Sequence, residues 1–303
     1  MLSFLKKKKI IITHNGTFHA DDIFACATLG LLLDKQGYRY EIIRTRDEKI
    51  IKTGDYVVDV GGEYDPMQNR FDHHQIGGAN TRENTIPYAS FGLVWKEFGE
   101  QLTGSTQATK RIDENLAASI DATDNGISVT KSLFLDINAY GLHGIISAFL
   151  PSWKETEAID INKTFIQFVS YSKILLSREI KKAQDLIEGE QKVAEIYKNT
   201  EDKRLIVMDS YLPWKKELSK YPEPLYLVSK GNDGNWNLSC VRNDLSSFVN
   251  RKDMPASWAG LRDEKLAQET GVPDAVFCHT KRFFCVAKSK EGALKLGKIA
   301  LKE

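Results

Sequence analysis

An aspartate followed at once by two histidines, Asp72-His73-His74, is the stretch of this chain best suited to chemistry. One imidazole there suits a divalent cation while its neighbours orient it or protonate a leaving group. Upstream, His14, His19 and Asp21 fall within His14-Asn15-Gly16-Thr17-Phe18-His19-Ala20-Asp21-Asp22. Asp59 stands in the apolar run Tyr56-Val57-Val58-Asp59-Val60, where a lone buried carboxylate is costly unless paired or bound to a cation. Asp121 and Asp124, three apart at the end of a helical pattern, face one side of its last turn. Acids at a helix C-terminus oppose the macrodipole, and a cation would compensate them. Taken singly, each piece also reads as something ordinary: a capped loop, a satisfied strand-end acid, surface histidines, a helix-ending turn. Together they read otherwise, because four of the six histidines fall in just two of these places. Imidazole with carboxylate suits Mn²⁺, Zn²⁺ or Fe²⁺, and carboxylates also suit Mg²⁺.

These residues need elements that gather them. The β-branched run at 10–12 reads as a buried strand, left through the Asn15-Gly16 turn. A helix follows from about Asp21, with Ile23, Ala27 and Leu31 on one face. Further strands are expected at 40–43, 56–60 and 70–72, and helices at 90–99 and 112–120. That alternation predicts an α/β domain, a mainly parallel sheet flanked by helices. His14, His19 and Asp21 then lie in the crevice beyond a strand's carboxyl end, where such sheets bind ligands. One long helix or a kinked pair is expected over 162–198. Strands at 204–208, 225–228, 236–241 and 283–287, a hairpin turn at 231–235 and a last helix at 290–301 predict a smaller α+β domain. The expected domains are 1–199 and 200–303.

Composition narrows the class. Apolar content of 42% with 27% charged residues is an ordinary globular profile. No run of about 18 apolar residues offers a membrane span, and Lys6–Lys9 fall on the wrong side of Met1–Leu5 for a secretory signal. Cys26, Cys240, Cys278 and Cys285 are scattered without a CxxC pair, which suits reduced thiols, so a cytoplasmic location is expected. From residue 200 onward 18 basic residues face 14 acidic ones, against 24 and 27 before it. A metal-binding acidic part and an anion-binding basic part would divide the labour in that way.

The order His-x4-His-x-Asp, strand-end Asp, Asp-His-His and Asp-Asn-Gly resembles the metal-binding motifs of the DHH phosphoesterase superfamily. More narrowly, Thr13–Asp22, Arg44-Thr45-Arg46-Asp47, Val58–Gly62, Arg70–His74 and Asp121–Gly126 are similar to the melanocyte-proliferating-gene family. Trp258–Glu264 and Phe277-Cys278-His279 extend the resemblance over essentially the whole chain. It implies a DHH-type fold and a metal-dependent hydrolase, most specifically a 3′–5′ exonuclease acting on RNA or short single-stranded nucleic acid. Two divalent ions are implied, Mn²⁺ first and Mg²⁺ second: His14 and His19 on one, Asp21 and His73 on the other, Asp59 and Asp124 bridging. His74 would donate the proton to the leaving oxygen with Asp72 as its catalytic partner, and Asp121 would stand behind the ligands. The second domain would hold phosphate through Arg242, Arg262, His279, Lys281 and Arg282 and stack a base on Trp258. Two positions depart from the pattern. Relatives usually carry Asp where this chain has His19, which softens one metal site, and Lys281-Arg282 replace a small residue. Two other functions stay open: hydrolysis of a small phosphate ester or anhydride, and a metal-stabilised binding protein without catalysis. The expected partner is single-stranded RNA or a nucleotide-like phosphodiester, with no membrane, and a homodimer is one assembly the sequence allows.

Overall fold

The computed structural model, which describes residues 7–135, 137, 139–155 and 159–303, is α/β, with two five-stranded sheets flanked by helices. The chain divides into two compact units, Met1–Gln184 and Asp185–Glu303. That division falls inside one unbroken helix, so no change of element marks it. The limit expected after residue 199 coincides instead with the helix's end.

In the first unit β1 (Lys9–Thr13) leads to α1 (Ala20–Lys35), β2 (Tyr40–Arg44), α2 (Glu48–Ile51) and β3 (Tyr56–Val58). β4 (Tyr64–Asp65) and β5 (Arg70–Phe71) follow, then α3 (Ser90–Thr103), α4 (Thr106–Ile112), α5 (Ala118–Asp124), α6 (Leu142–Ser147) and α7 (Ile161–Asn199). The sheet runs β2-β1-β3-β5-β4 and is parallel except for β4. β-Branched side chains are stiff and pack well on a pleated surface, which is why Ile11 and Ile12 form the fully buried middle of β1. α1 carries apolar residues around most of its circumference and is buried nearly throughout. It packs on α3 through Phe24 and Phe91, whose rings lie 5.3 Å apart. Between α4 and α5 runs a π-helical turn, Asp113–Ala117, of the kind that interrupts an α-helical ladder.

The second unit holds the end of α7 and then β6 (Leu205–Met208), α8 (Trp214–Leu218), β7 (Tyr226–Lys230) and β8 (Trp236–Cys240). α9 (Asp263–Thr270), β9 (Ala275–Cys278), β10 (Phe284–Ala287) and α10 (Lys290–Lys302) complete it. Its sheet runs β6-β7-β8-β10-β9, with only β6 and β7 parallel. One face packs α10 through Val228, Leu238, Ala293 and Leu296. The other packs α7 and α8 through Val193, Leu218, Leu227 and Val241. The 39 residues of α7 form a single helix, which decides between the two readings of that stretch. α2, α4, α6, α8, α9, β4 and β9 lie outside the expected pattern, because elements of two to eight residues show too little periodicity. Among the described residues no helix is long and apolar enough to cross a membrane.

Candidate metal centre

Adjacent parallel strands end on the same edge of a sheet, and three of these ends carry chemistry. His14 follows β1, Asp59 follows β3 and Asp72 follows β5. Asp59 is held at φ 55°, in the left-handed region that a side chain rarely adopts, so its carboxylate's placement is imposed by its surroundings. Gly61 and Gly62, both at positive φ, turn the chain back so that the Gly62 N–H donates to Asp72 Oδ2 at 2.6 Å.

Asp59 is the hub. Its Oδ2 lies 3.2 Å from His14 Nε2, and its Oδ1 lies 3.3 Å from His73 Nε2. Each imidazole meets a further carboxylate: Asp22 Oδ2 at 3.1 Å from His14, and Asp124 Oδ2 at 3.2 Å from His73. Asp21 joins the His73 group, so the ligand atoms of Asp21, His73 and Asp124 lie within 4.8 Å of one another, as do those of His14, Asp22 and Asp59. Asp59, His73 and His74 make a third such group, so the Asp59 carboxylate is shared between the His14 side and the His73 side.

The expected assignment changes in two places. His19 is exposed at the cavity wall, its ring 6.1 Å from that of His14, and belongs to neither group. Asp22 stands where His19 was expected. Successive residues on a helix point about 100° apart, so Asp21 and Asp22 at the start of α1 reach opposite groups. Asp124, expected to bridge, sits with Asp21 and His73 only. The Asp21-Asp22 doublet was the available signal, and it reads equally well as acids complementing a helix N-terminus.

Donor chemistry tests whether this arrangement fits a cation. His14 Nδ1 lies 3.0 Å from the Asn15 carbonyl and must carry its proton toward it. A neutral His14 then points the Nε2 lone pair at two carboxylate oxygens. Such a contact is repulsive unless a proton or a metal ion lies between them. Asp22 Oδ2 and His73 Nε2 are buried and have no hydrogen-bond partner. Buried polar atoms are rarely left so, and these converge. The residues fit divalent cations.

The same crowding governs protonation. Burial disfavours the charged imidazolium, but Asp22 and Asp59 outweigh it and push His14 up to about 10. His73 is likewise raised to about 10, against its burial, by Asp124 and Asp59. Asp59 is buried too, yet the two imidazoles hold its carboxyl below the usual range. Asp21 goes the other way: burial first, then Asp59 and Asp124, push it well above an ordinary carboxyl.

Asp72 organises the loop that follows β5. Its Oδ1 accepts from the His73 and His74 N–H groups and from His74 Nδ1 at 2.7 Å. His74 is thereby held with its other nitrogen free and its side chain 62% exposed, and Asp72 raises its pKa. An oriented, accessible imidazole backed by a carboxylate can deliver a proton.

Behind the donors, Asp21 accepts from the N–H groups of Ser90 and Phe91, and Asp121 from that of Gly92, so two carboxylates cap α3 from other helices. Asp121 also pairs with buried Arg82 at 2.8 Å, and Arg82 in turn grips Asp113 through two nitrogens. Burial pushes Asp121 up to about 7 in spite of Arg82. A Cβ on Gly92 would overlap both partners, so glycine is required there. Arg44 lies 4.5 Å over the Phe165 ring and donates to the Gly16 carbonyl, fixing the loop after β1. Arg82 carries no sequence signal beyond being an arginine, whereas Arg44 opens the Arg44-Thr45-Arg46-Asp47 motif. The donors open on a cavity of about 770 Å³ whose wall includes Asn15, His19, Arg46 and His74.

In the second unit the expected substrate residues separate. Trp258 is only 1% exposed within the α10-side core and has no face free for a base, because its ring packs among the aliphatic residues there. Arg282 pairs with Asp253 at 3.0 Å and keeps 35% of its side chain exposed. Arg262 stacks on Phe277, and His279 lies against Phe283 with Nδ1 accepting from the Lys281 N–H. The Lys281 side chain is exposed, and Arg242 borders a separate cavity.

Comparison with known proteins adds ancestry. The family described as "Uncharacterised protein family (UPF0160)", MYG1_exonuc, matches residues 10–301. A MYG1 exonuclease of Homo sapiens is 32% identical, with 95% of this chain and 85% of that protein covered. A MYG1 protein of Schizosaccharomyces pombe is 30% identical over 96% of this chain and 97% of its own. Among solved structures, RecJ of Thermus thermophilus in complex with Mg²⁺ aligns with 99% of this chain and 50% of its own. Its 12% identity and TM-score of 0.27 carry no weight for function.

Proposed function

Since the chain belongs to the MYG1 exonuclease family, we propose that it is a metal-dependent phosphodiesterase that shortens RNA or short single-stranded nucleic acid from the 3′ end. The observation that carries this reading is the Asp59 carboxylate, whose two oxygens face His14 and His73, each with its own further acid. His14, Asp22 and Asp59 would hold one cation, and Asp59, His73, Asp21 and Asp124 the other. Manganese suits the mixed imidazole and carboxylate set best, with magnesium second. Bound there, a pair of divalent cations supplies a water nucleophile at neutral pH and offsets charge on the attacked phosphate.

The chain's own groups do the rest. His74, oriented by Asp72, gives its Nε2 proton to the leaving ribose oxygen. Arg46 and Asn15 at the cavity wall are placed to hold non-bridging phosphate oxygens. Asp121, paired with Arg82, holds the start of α3. The unpaired thiols of all four cysteines suit work in a reducing cytoplasm.

The test is shortening of a 5′-labelled single-stranded RNA by protein reloaded with Mn²⁺, beside a chromogenic phosphodiester. Asp59→Asn should lower turnover about a thousand-fold or more, since both donor groups use that carboxylate. Near-normal turnover by that variant would refute the reading. Cleavage of the chromogenic ester alone would favour a small-ester hydrolase.

A further inference from the structure

The second unit holds a cavity that the metal centre does not use. It measures about 300 Å³ and is bounded by α8, one face of β7 and β8, and the loop at 242–250. That face is aliphatic where α7 and α8 cover it, at Leu227 and Val241. Side chains two apart on a strand share a face. The next positions along it are Ser229 on β7 and Asn237 and Ser239 on β8, with Ser229 directly opposite Asn237. Among the described residues none of these three side chains makes a hydrogen bond within the protein, although Ser229 is only 5% exposed. Polar positions replacing aliphatic ones, lining a cavity and without a partner within the protein, suit a ligand with its own hydrogen-bonding edge.

The remaining walls narrow the ligand. Trp214 forms one side, and the exposed rings of Tyr211 and Phe283 form the rim. Arg242, its guanidinium 4.4 Å from the Phe248 ring, and Lys215 stand at the mouth. Neither has an acidic partner among the described residues. The one acid of the lining, Asp244, is turned into its own loop, where Oδ1 accepts from the N–H groups of Ser246 and Ser247. A purely apolar ligand would strand the polar row, and a simple anion would leave the rings unused.

We propose that this cavity binds a nucleoside monophosphate. Its base stacks among Trp214, Tyr211 and Phe283 and is read by Asn237, Ser229 and Ser239, while Arg242 and Lys215 hold its phosphate. Ligand sites begin at about 300 Å³, which such a molecule fills. The assignment goes beyond the metal-centre reading and does not rest on it.

The test is calorimetric titration of the full chain, stripped of metal by chelator, with the four nucleoside 5′-monophosphates, the matching nucleosides and inorganic phosphate. At least one monophosphate should bind more tightly than its nucleoside or phosphate alone. Arg242→Ala should weaken the monophosphate about ten-fold and leave the nucleoside unchanged, since it removes a charge-assisted hydrogen bond. Asn237→Ala should weaken both, and Asp59→Asn neither. Arg242 is on a surface loop, so its variant remains informative if Asn237→Ala fails to fold. The KM of Arg242→Ala for single-stranded RNA separates the sources: a rise assigns the site to a strand's end nucleotide, no change to a free nucleotide. Absence of binding at millimolar ligand overturns the proposal. So does binding that Arg242→Ala leaves intact, or that Asp59→Asn abolishes.

Discussion

Loading the stripped protein with Mn²⁺ should expel protons, and their number follows from the geometry. His14 and His73 face carboxylates that hold both near 10, so at pH 7.5 each is about 99% imidazolium. A metal takes only the neutral imidazole. Filling both sides should therefore release about two protons from the histidines, and more if Asp21, whose pKa is raised by burial and its acidic neighbours, gives one up as well. One proton displaced at each site makes each ion's apparent affinity rise roughly ten-fold per pH unit between about pH 7 and 9, flattening above 10. The assay is calorimetry at pH 7.5 in buffers of different ionisation enthalpy, with wild type beside Asp59→Asn. The stripped protein offers a companion measurement. Both histidines are raised above the 6.5 of an unfolded imidazole, so the stability they lend is fully present below pH 6.5 and disappears as pH rises through 10. Release of less than one proton, with affinity flat from pH 7 to 9, would refute the claim that the carboxylates around Asp59 charge these rings.

Two further outcomes follow from the surrounding shell. Arg82→Met leaves Asp121 buried without its cation, which costs about 3–5 kcal/mol. At about 2–4 °C per kcal/mol that lowers the Tm by roughly 6–20 °C; a variant melting within 2 °C or so of wild type would show the pair to be dispensable. His74→Gln should reduce turnover about 10²–10⁴-fold. Because the imidazolium is the proton donor and Asp72 raises its pKa, activity should decline as pH rises through that value, and this limb should vanish in the variant. An unchanged limb would assign the proton to another group.

Much of this centre is legible in the chain because strand ends announce themselves. An acid inside Tyr56–Val60 or directly after Arg70-Phe71 interrupts an apolar pattern, and parallel pairing then brings those interruptions to one edge. What escaped is tertiary. Asp22 looks like any acid in a helix's first turn, and only the packing of α1 on β1 turns it toward His14. Asp21 and Asp121 cap α3 from other helices, a relation no local spacing encodes. Arg82 lies in a stretch without regular structure, and its partners are 31 and 39 positions away. Trp258 misled for the opposite reason: beside arginines an aromatic reads as a stacking platform, whereas its bulk fills a core that neighbouring strands and α10 close. Ser229, Asn237 and Ser239 make their pattern only across paired strands.

The most direct test of the central claim is anomalous diffraction from crystals soaked in Mn²⁺. Two peaks are expected, one among His14, Asp22 and Asp59 and the other among Asp21, His73 and Asp124, each within reach of an Asp59 oxygen. Density confined to other residues, or none at saturating metal, would contradict it.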